Sequence, residues 1–209
     1  RDRADAGEQL AQRLVTYRDQ QPVVIGLPRG GVPVAAKVAS ARHAPLDVIV
    51  VRKVGVPGHE ELGLGAISED GIIVFNDDIV RQLRLTPAQM EAAVAKERAT
   101  LTSRLSRIRA IHPAVPLRGR PVIIVDDGIA TGIDARAACR VARARGARSV
   151  IVATPVAPDA WESSLASEAD AFVALEEDPF FAAVGAYYED FGQVSDEEAL
   201  ACLAVGRGA

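Results

Sequence analysis

Residues 122 to 134, Val-Ile-Ile-Val-Asp-Asp-Gly-Ile-Ala-Thr-Gly-Ile-Asp, constrain this chain more than any other stretch. Val122 to Val125 are all β-branched, the pattern of a strand buried on both faces. Two adjacent acids, Asp126 and Asp127, end the run. A loop of Gly128, Ile129, Ala130, Thr131 and Gly132 follows. Ala135 to Arg145 then reads as a helix, stopped by Gly146. The loop's N–H groups and the helix N-terminus make an anion site. The acids cannot bind that anion, so they must serve hydroxyls or a cation attached to it. A phosphate-plus-diol ligand such as ribose 5-phosphate offers both halves.

The rest of the chain repeats the strand and helix alternation of an α/β fold with a mostly parallel central sheet. Residues 2 to 20 predict an amphipathic helix with Leu10, Leu14 and Tyr17 on one face and charges over the rest. Val23 to Leu27, Val32 to Ala41 and Leu46 to Val51 predict one βαβ unit, broken after its first strand by Pro28-Arg29-Gly30-Gly31. Residues 52 to 66, with four Gly and a Pro, predict a long mobile loop. A hairpin about Glu69-Asp70-Gly71 follows. Asn76 caps a short helix, and Thr86-Pro87-Ala88-Gln89 opens a longer one. Met90, Val94, Leu101, Leu105 and Ile108 form its apolar stripe, interrupted only by Glu97. Beyond the central motif come a strand over 149–154, a helix over 158–167, a strand over 171–175 and a final helix from Asp196.

At 209 residues, with 49% apolar and 25% charged residues, the chain has the composition of one soluble domain. It has no apolar run of membrane-spanning length, and its first residues hold no apolar signal core. Cys139 and Cys202 sit in apolar helical patterns, which suggests two buried thiols in a reducing cytoplasm. Arg98 to Arg120 holds six Arg and no acid, whereas Ser149 to Gly206 holds twelve acids and no Lys or Arg. The basic segment has no interleaved aromatics, which argues against nucleic acid. The two segments complement each other within a subunit or across a homodimer. His43 and His112 read as surface residues. Val32-Pro33 stands where a P-loop needs Lys and Ser or Thr, and no Gly-x-Gly-x-x-Gly follows a strand. Three His and two Cys at no ligand spacing argue against a structural zinc site.

Val122 to Gly132 resembles the ribose-phosphate signature of the type I phosphoribosyltransferases: an apolar strand, Asp-Asp, three variable residues, then Thr-Gly. The order of the other elements agrees over most of the chain. The resemblance implies that family's fold over 1–209, with a core at about 20–175. A small hood at about 176–209 would join the helix over 2–20. It implies transfer of 5-phosphoribosyl from 5-phosphoribosyl 1-diphosphate (PRPP) to a nucleobase-like nitrogen acceptor, with release of pyrophosphate and help from Mg²⁺. Asp126 and Asp127 would be catalytic and hold the ribose, and Gly128 to Gly132 with Asp134 would surround the 5-phosphate. Arg29, Gly30 and Gly31 would bind pyrophosphate. Arg52 and Lys53, ending a strand toward the same edge, stand open between that role and a structural one. Residues 52 to 66, with Gly55, Gly58 and His59, would be the closing loop, and His59 is a candidate general base. Tyr187, Tyr188 and Phe191 would serve the hood as core or as base stack. No protein side chain is assigned to the metal.

One departure from the resemblance bears on activity. The family usually follows Thr-Gly with a small residue and then Thr or Ser. This chain has Ile133 and Asp134. A carboxylate about 5 Å from one phosphate charge costs roughly 3 kcal/mol at an effective dielectric near 20. The alternative is therefore a non-catalytic or weakly active PRPP-binding regulatory protein.

Overall fold

The computed structural model describes residues 2–205. Arg1 and residues 206–209, counted above in the first segment and the tail, lie outside them. Helix α1 (Arg3–Arg13) is capped by the Asp2 carboxylate, which accepts the Asp5 N–H at 2.9 Å. A 3-10 turn over Val15–Gln20 replaces the end of the helix expected to residue 20. Strand β1 (Val23–Gly26), α2 (Gly31–Arg42) and β2 (Leu46–Val48) form the expected βαβ unit.

The strand expected to run on to Val51 divides after β2. Its continuation, β3 (Val51–Val56), leaves for a second, antiparallel sheet with β4 (His59–Ser68) and β5 (Ile73–Phe75). The mobile loop expected over 52–66 is thus corrected to a β-hairpin. Its glycines mark close backbone approach. A Cβ on Gly55 would sit 2.4 Å from the Glu60 carbonyl oxygen, and one on Gly65 would sit 2.3 Å from that of Val74. Gly58 turns the hairpin at φ +81°.

Asn76 caps α3 (Asp77–Leu83), and Thr86 with Gln89 forms the capping box of α4 (Pro87–Ile111). Val94, Leu101 and Ile108 are buried, as their spacing predicts. Glu97 breaks the stripe because it binds Arg52 of β3, at 2.6 Å. Strand β6 (Pro121–Val125), α5 (Ile133–Ala144), β7 (Ser149–Pro158), β8 (Ala171–Asp178) and α6 (Asp196–Val205) complete the chain. The helix expected over 158–167 is also corrected. Strand β7 runs to Pro158, paired with Asp178, and only a 3-10 turn over Trp161–Ser164 follows. Val156 and Ala157 prolong the buried strand, and Trp161 packs edge-on against Phe172 rather than along a helix face.

The main sheet is parallel, in the order β2-β1-β6-β7-β8. Alternate residues of β6 serve opposite faces. Ile123 and Val125 meet Val34 and Val38 of α2, whereas Val122 and Ile124 meet Ala138 and Cys139 of α5. All five β6 residues are buried, as expected for a strand covered on both sides. The charge-segregated segments meet within the chain where Arg104 and Arg107 bind Asp196 at 2.8 and 3.5 Å. His112 is buried, not at the surface, with Nε2 3.0 Å from the Leu46 carbonyl oxygen. Cys139 is buried and Cys202 half-buried, and both are free thiols. Among the described residues no helix is long and apolar enough to cross a membrane.

Candidate functional site

The sheet order changes direction between β1 and β6. Strand β1 is followed by α2 toward one face, and β6 by α5 toward the other, so the two loops part at the strands' carboxyl ends. Open α/β sheets bind ligands in such a crevice. The cleft here measures about 390 Å³.

The two motifs singled out in the sequence touch each other at its base. The Leu27 N–H donates to the Val125 carbonyl at 2.9 Å. A Cβ on Gly30 would lie 2.0 Å from Asp127 Oδ2, and one on Gly31 would lie 2.7 Å from the Val125 carbonyl oxygen. Only glycines admit the acid pair this close to the Pro28–Gly31 loop. Gly132, at φ +71°, stands at the N-cap of α5 and brings Asp134 into the first turn.

Three carboxylates share the cleft. Burial, then the charges of Asp127 and Asp134, hold the Asp126 carboxyl well above its usual range. Its Oδ1 accepts the Asp127 N–H at 2.9 Å. Burial also raises Asp134, and Lys53 opposes that rise from 3.6 Å. Asp134 Oδ1 is buried with no hydrogen-bond partner among the described residues. Arg29 lines the cleft, and among the described residues its guanidinium makes no hydrogen bond or ion pair, while its carbonyl accepts the Val32 N–H at 3.2 Å.

Lys53 lines the cleft, but Arg52 does not. Successive strand residues face opposite sides, and Arg52 faces α4, where Glu97 binds it. The expectation that both cations face the site is corrected for Arg52. Arg29, Gly30, Asp126 to Gly132, Asp134 and Phe191 line the cleft. Gly31 packs on Asp126 just beneath. Gly55, Gly58 and His59 lie out on the β3–β4 hairpin and do not line it. Tyr188 reaches the site through its hydroxyl, which donates to the Asp127 carbonyl oxygen at 2.6 Å. Its ring tilts on Phe191 at 5.0 Å, while Tyr187 turns away to stack on Phe181.

Sequence reasoning missed two residues. Val184, from the tail, closes on Gly128, where a Cβ would lie 2.3 Å from Val184 Cγ1. Arg3, from α1, places Nε 2.8 Å from Asp127 Oδ2. A charge on an amphipathic helix carries no mark that separates a ligand of the site from a solvated face.

A family model described as the phosphoribosyl transferase domain matches residues 2–191. Two curated relatives from Mycobacterium tuberculosis, strains CDC 1551 / Oshkosh and ATCC 25618 / H37Rv, are each 52% identical over 202 residues. Both are provisionally named phosphoribosyl transferases, and the match covers 97% of this chain and 46% of each relative. The chain thus spans about half the length of the curated relatives it matches. The crystal structure of TT1426 from Thermus thermophilus is 44% identical, with a TM-score of 0.82 over 97% of this chain and 96% of that one. A hypothetical protein from Neisseria gonorrhoeae shares the fold at 12% identity, with a TM-score of 0.52 over 98% and 93%.

Proposed function

The chain belongs to the phosphoribosyl transferase domain family, and on that premise we propose that it transfers 5-phosphoribosyl from PRPP to a small nitrogenous, nucleobase-like acceptor, releasing pyrophosphate. The contact between Gly30 and Asp127 carries this reading. It supports a site in which a diphosphate loop adjoins a ribose-binding acid pair. The 5-phosphate takes amides of the Gly128–Gly132 loop other than that of Ile129, which the Val156 carbonyl holds at 3.0 Å, and the α5 N-terminus. The ribose hydroxyls donate to Asp126 and Asp127. The diphosphate lies against Arg29, Lys53 and the amide of Gly30, beside Gly31, whose own N–H is held by the Leu27 carbonyl at 3.0 Å.

The acceptor nitrogen bonds to the anomeric carbon as the bond from that carbon to the diphosphate oxygen breaks. Positive charge develops on the ribose, and a carboxylate beneath the ring stabilises it. The β3–β4 hairpin closes over the cleft and limits loss to water. The tail, with Tyr187, Tyr188 and Phe191, is the hood over the acceptor. Among the described residues no three His, Cys, Asp or Glu group to hold a metal ion. Mg²⁺ would enter as counter-ion of the diphosphate substrate, where it would neutralise the leaving group. The setting is cytoplasmic and the unit a homodimer. The test is incubation with labelled PRPP, Mg²⁺ and a panel of bases. Acceptor-dependent pyrophosphate release is expected, and its absence across the panel with folded protein overturns the proposal.

A second reading rests on Asp134, half-buried with its Oδ1 enclosed where the 5-phosphate would bind. The protein is then a regulatory ribose-phosphate binder that does not catalyse. Calorimetry separates the two, because PRPP bound without turnover favours the regulator.

A further inference from the structure

Arg3 and Gly192 lie 189 positions apart in the chain and meet at the acid pair. Arg3 Nη1 donates to the Gly192 carbonyl oxygen at 2.7 Å. Its Nε donates to Asp127 Oδ2 at 2.8 Å, and its guanidinium carbon lies 4.0 Å from the Phe191 ring centroid. The side chains of Arg3 and Asp127 are only 12% and 14% exposed. A buried, planar donor held on three sides is preorganised rather than free to wander. The same Asp127 passes its carbonyl oxygen to Tyr188, so both halves of this residue are tied to elements outside the core.

The charges explain why such a holder is needed. Asp126, Asp127 and Asp134 all face a cleft that has to take a phosphate ester. The opposing cations are Arg29 from the loop after β1, Lys53 from β3 and Arg3 from α1. Arg3 is the one that contacts the Asp126–Asp127 pair, and its charge also reaches Glu198 of α6. Remove Arg3, and three carboxylates face two cations. Asp127 then loses the bond that aims it across Gly30, and the tail loses its anchor.

We propose that Arg3 is a positioning residue: it fixes the Asp127 carboxylate for the ribose hydroxyls and pins the tail segment 184–192 over the cleft. The N-terminal helix thereby contributes to a site otherwise built from strand ends. The ligand half of this statement rests on the ribose-phosphate function proposed above, but the tail half does not.

The experiment pairs a ligand-free and a ligand-bound measurement on the wild type, Arg3→Gln and Arg3→Lys. Thermal unfolding first identifies folded variants. Should Arg3→Gln fail to fold, Phe191→Leu, which keeps the cation and removes the ring beneath it, takes its place in the exchange measurement, and Arg3→Lys takes its place in calorimetry. Without ligand, amide hydrogen exchange over residues 184–192 is expected to quicken in Arg3→Gln, with core strands unchanged. Unchanged exchange there overturns the tail half. With Mg²⁺-free ribose 5-phosphate, calorimetry is expected to show roughly ten- to a hundredfold weaker binding by Arg3→Gln, the scale of a lost charge-assisted hydrogen bond. Arg3→Lys should recover part of the loss, because it restores charge without the planar fork. A purely structural role would not give that graded rescue. Unchanged binding overturns the positioning role, and so does tighter binding, which would mean that Arg3 competes with the ribose. If the wild type itself fails to bind ribose 5-phosphate, the proposed function falls, and the tail half is still decided by exchange.

Discussion

Lys53 and Asp134 face each other at the α5 end of the cleft, with Nζ 3.6 Å from Oδ2. The pair joins the hairpin sheet to the first turn of α5. It also gives the carboxylate a partner other than the helix amides that a phosphate would occupy. Burial still raises the Asp134 carboxyl above its usual range, and Lys53 opposes that rise.

Asp134 should make ribose-phosphate binding depend on pH. Its raised carboxyl takes up a proton at higher pH than an ordinary carboxylate, and a neutral group no longer repels the ligand. Wild-type affinity for ribose 5-phosphate should therefore rise toward acid pH, by about tenfold or more. In Asp134→Thr the affinity should be higher at neutral pH, by up to about a hundredfold, and keep only the pH dependence that the phosphate and Asp126 bring. Calorimetry of both proteins across pH checks this. Parallel pH profiles would remove the repulsion argument.

Asp126→Asn should stabilise the protein while abolishing ligand binding. The folded Asp126 carboxyl holds its proton to higher pH than the unfolded one, because burial and two neighbouring acids disfavour its charge. Between the two values the folded state binds more protons, so stability falls as pH rises through that window. The amide avoids this penalty. The variant should be the more stable at pH near 8, and the gain should vanish below the unfolded carboxyl value, near pH 4. Urea unfolding at both pH values measures it.

The parts of this molecule that were legible in the sequence are those where one pattern has one physical cause. The apolar run of β6 and the small, apolar face of α5 carry it, and so does the Thr86 capping box. The hairpin was not legible, because Gly55 and Gly65 signal mobility and close approach with the same letter. Val156 to Pro158 failed for a similar reason. A Pro near an apolar run fits a helix start as well as a strand end, and only pairing with β8 decides. Arg52 was misplaced because its direction depends on where β3 begins, and Arg3 because its partner is 124 positions away.

Lys53 and Arg52 should respond differently to the same substitution. Lys53→Met removes a cation that lines the cleft and should weaken PRPP binding at least tenfold. Arg52→Met removes the partner of Glu97, on the other side of β3. It should change PRPP affinity by less than about threefold and cost about 1 kcal/mol of stability, because this pair is partly exposed. Calorimetry and thermal unfolding of the two variants check both halves. Equal losses of affinity would put Arg52 back in the site.

Gly30→Ala tests the contact on which the function rests. Gly30 has φ −63° and ψ −34°, a conformation any residue adopts, so alanine brings no backbone strain. Its methyl group, however, would fall 2.0 Å from Asp127 Oδ2. The carboxylate has to rotate away, which breaks the 2.8 Å bond from Arg3 and moves the acceptor intended for the ribose. The lost ion pair is largely buried, so the destabilisation should reach about 1–3 kcal/mol. Binding of ribose 5-phosphate should fall at least tenfold, with the sheet intact by circular dichroism. A second change, Asp127→Gly, makes room for the methyl. The double variant is free of the clash but still lacks the Arg3 ion pair, so it should recover neither the stability tied to that pair nor the affinity, because the carboxylate itself is gone. Recovery of affinity would show that Asp127 does not hold the ligand, and would leave Asp126 as the sole ribose acid.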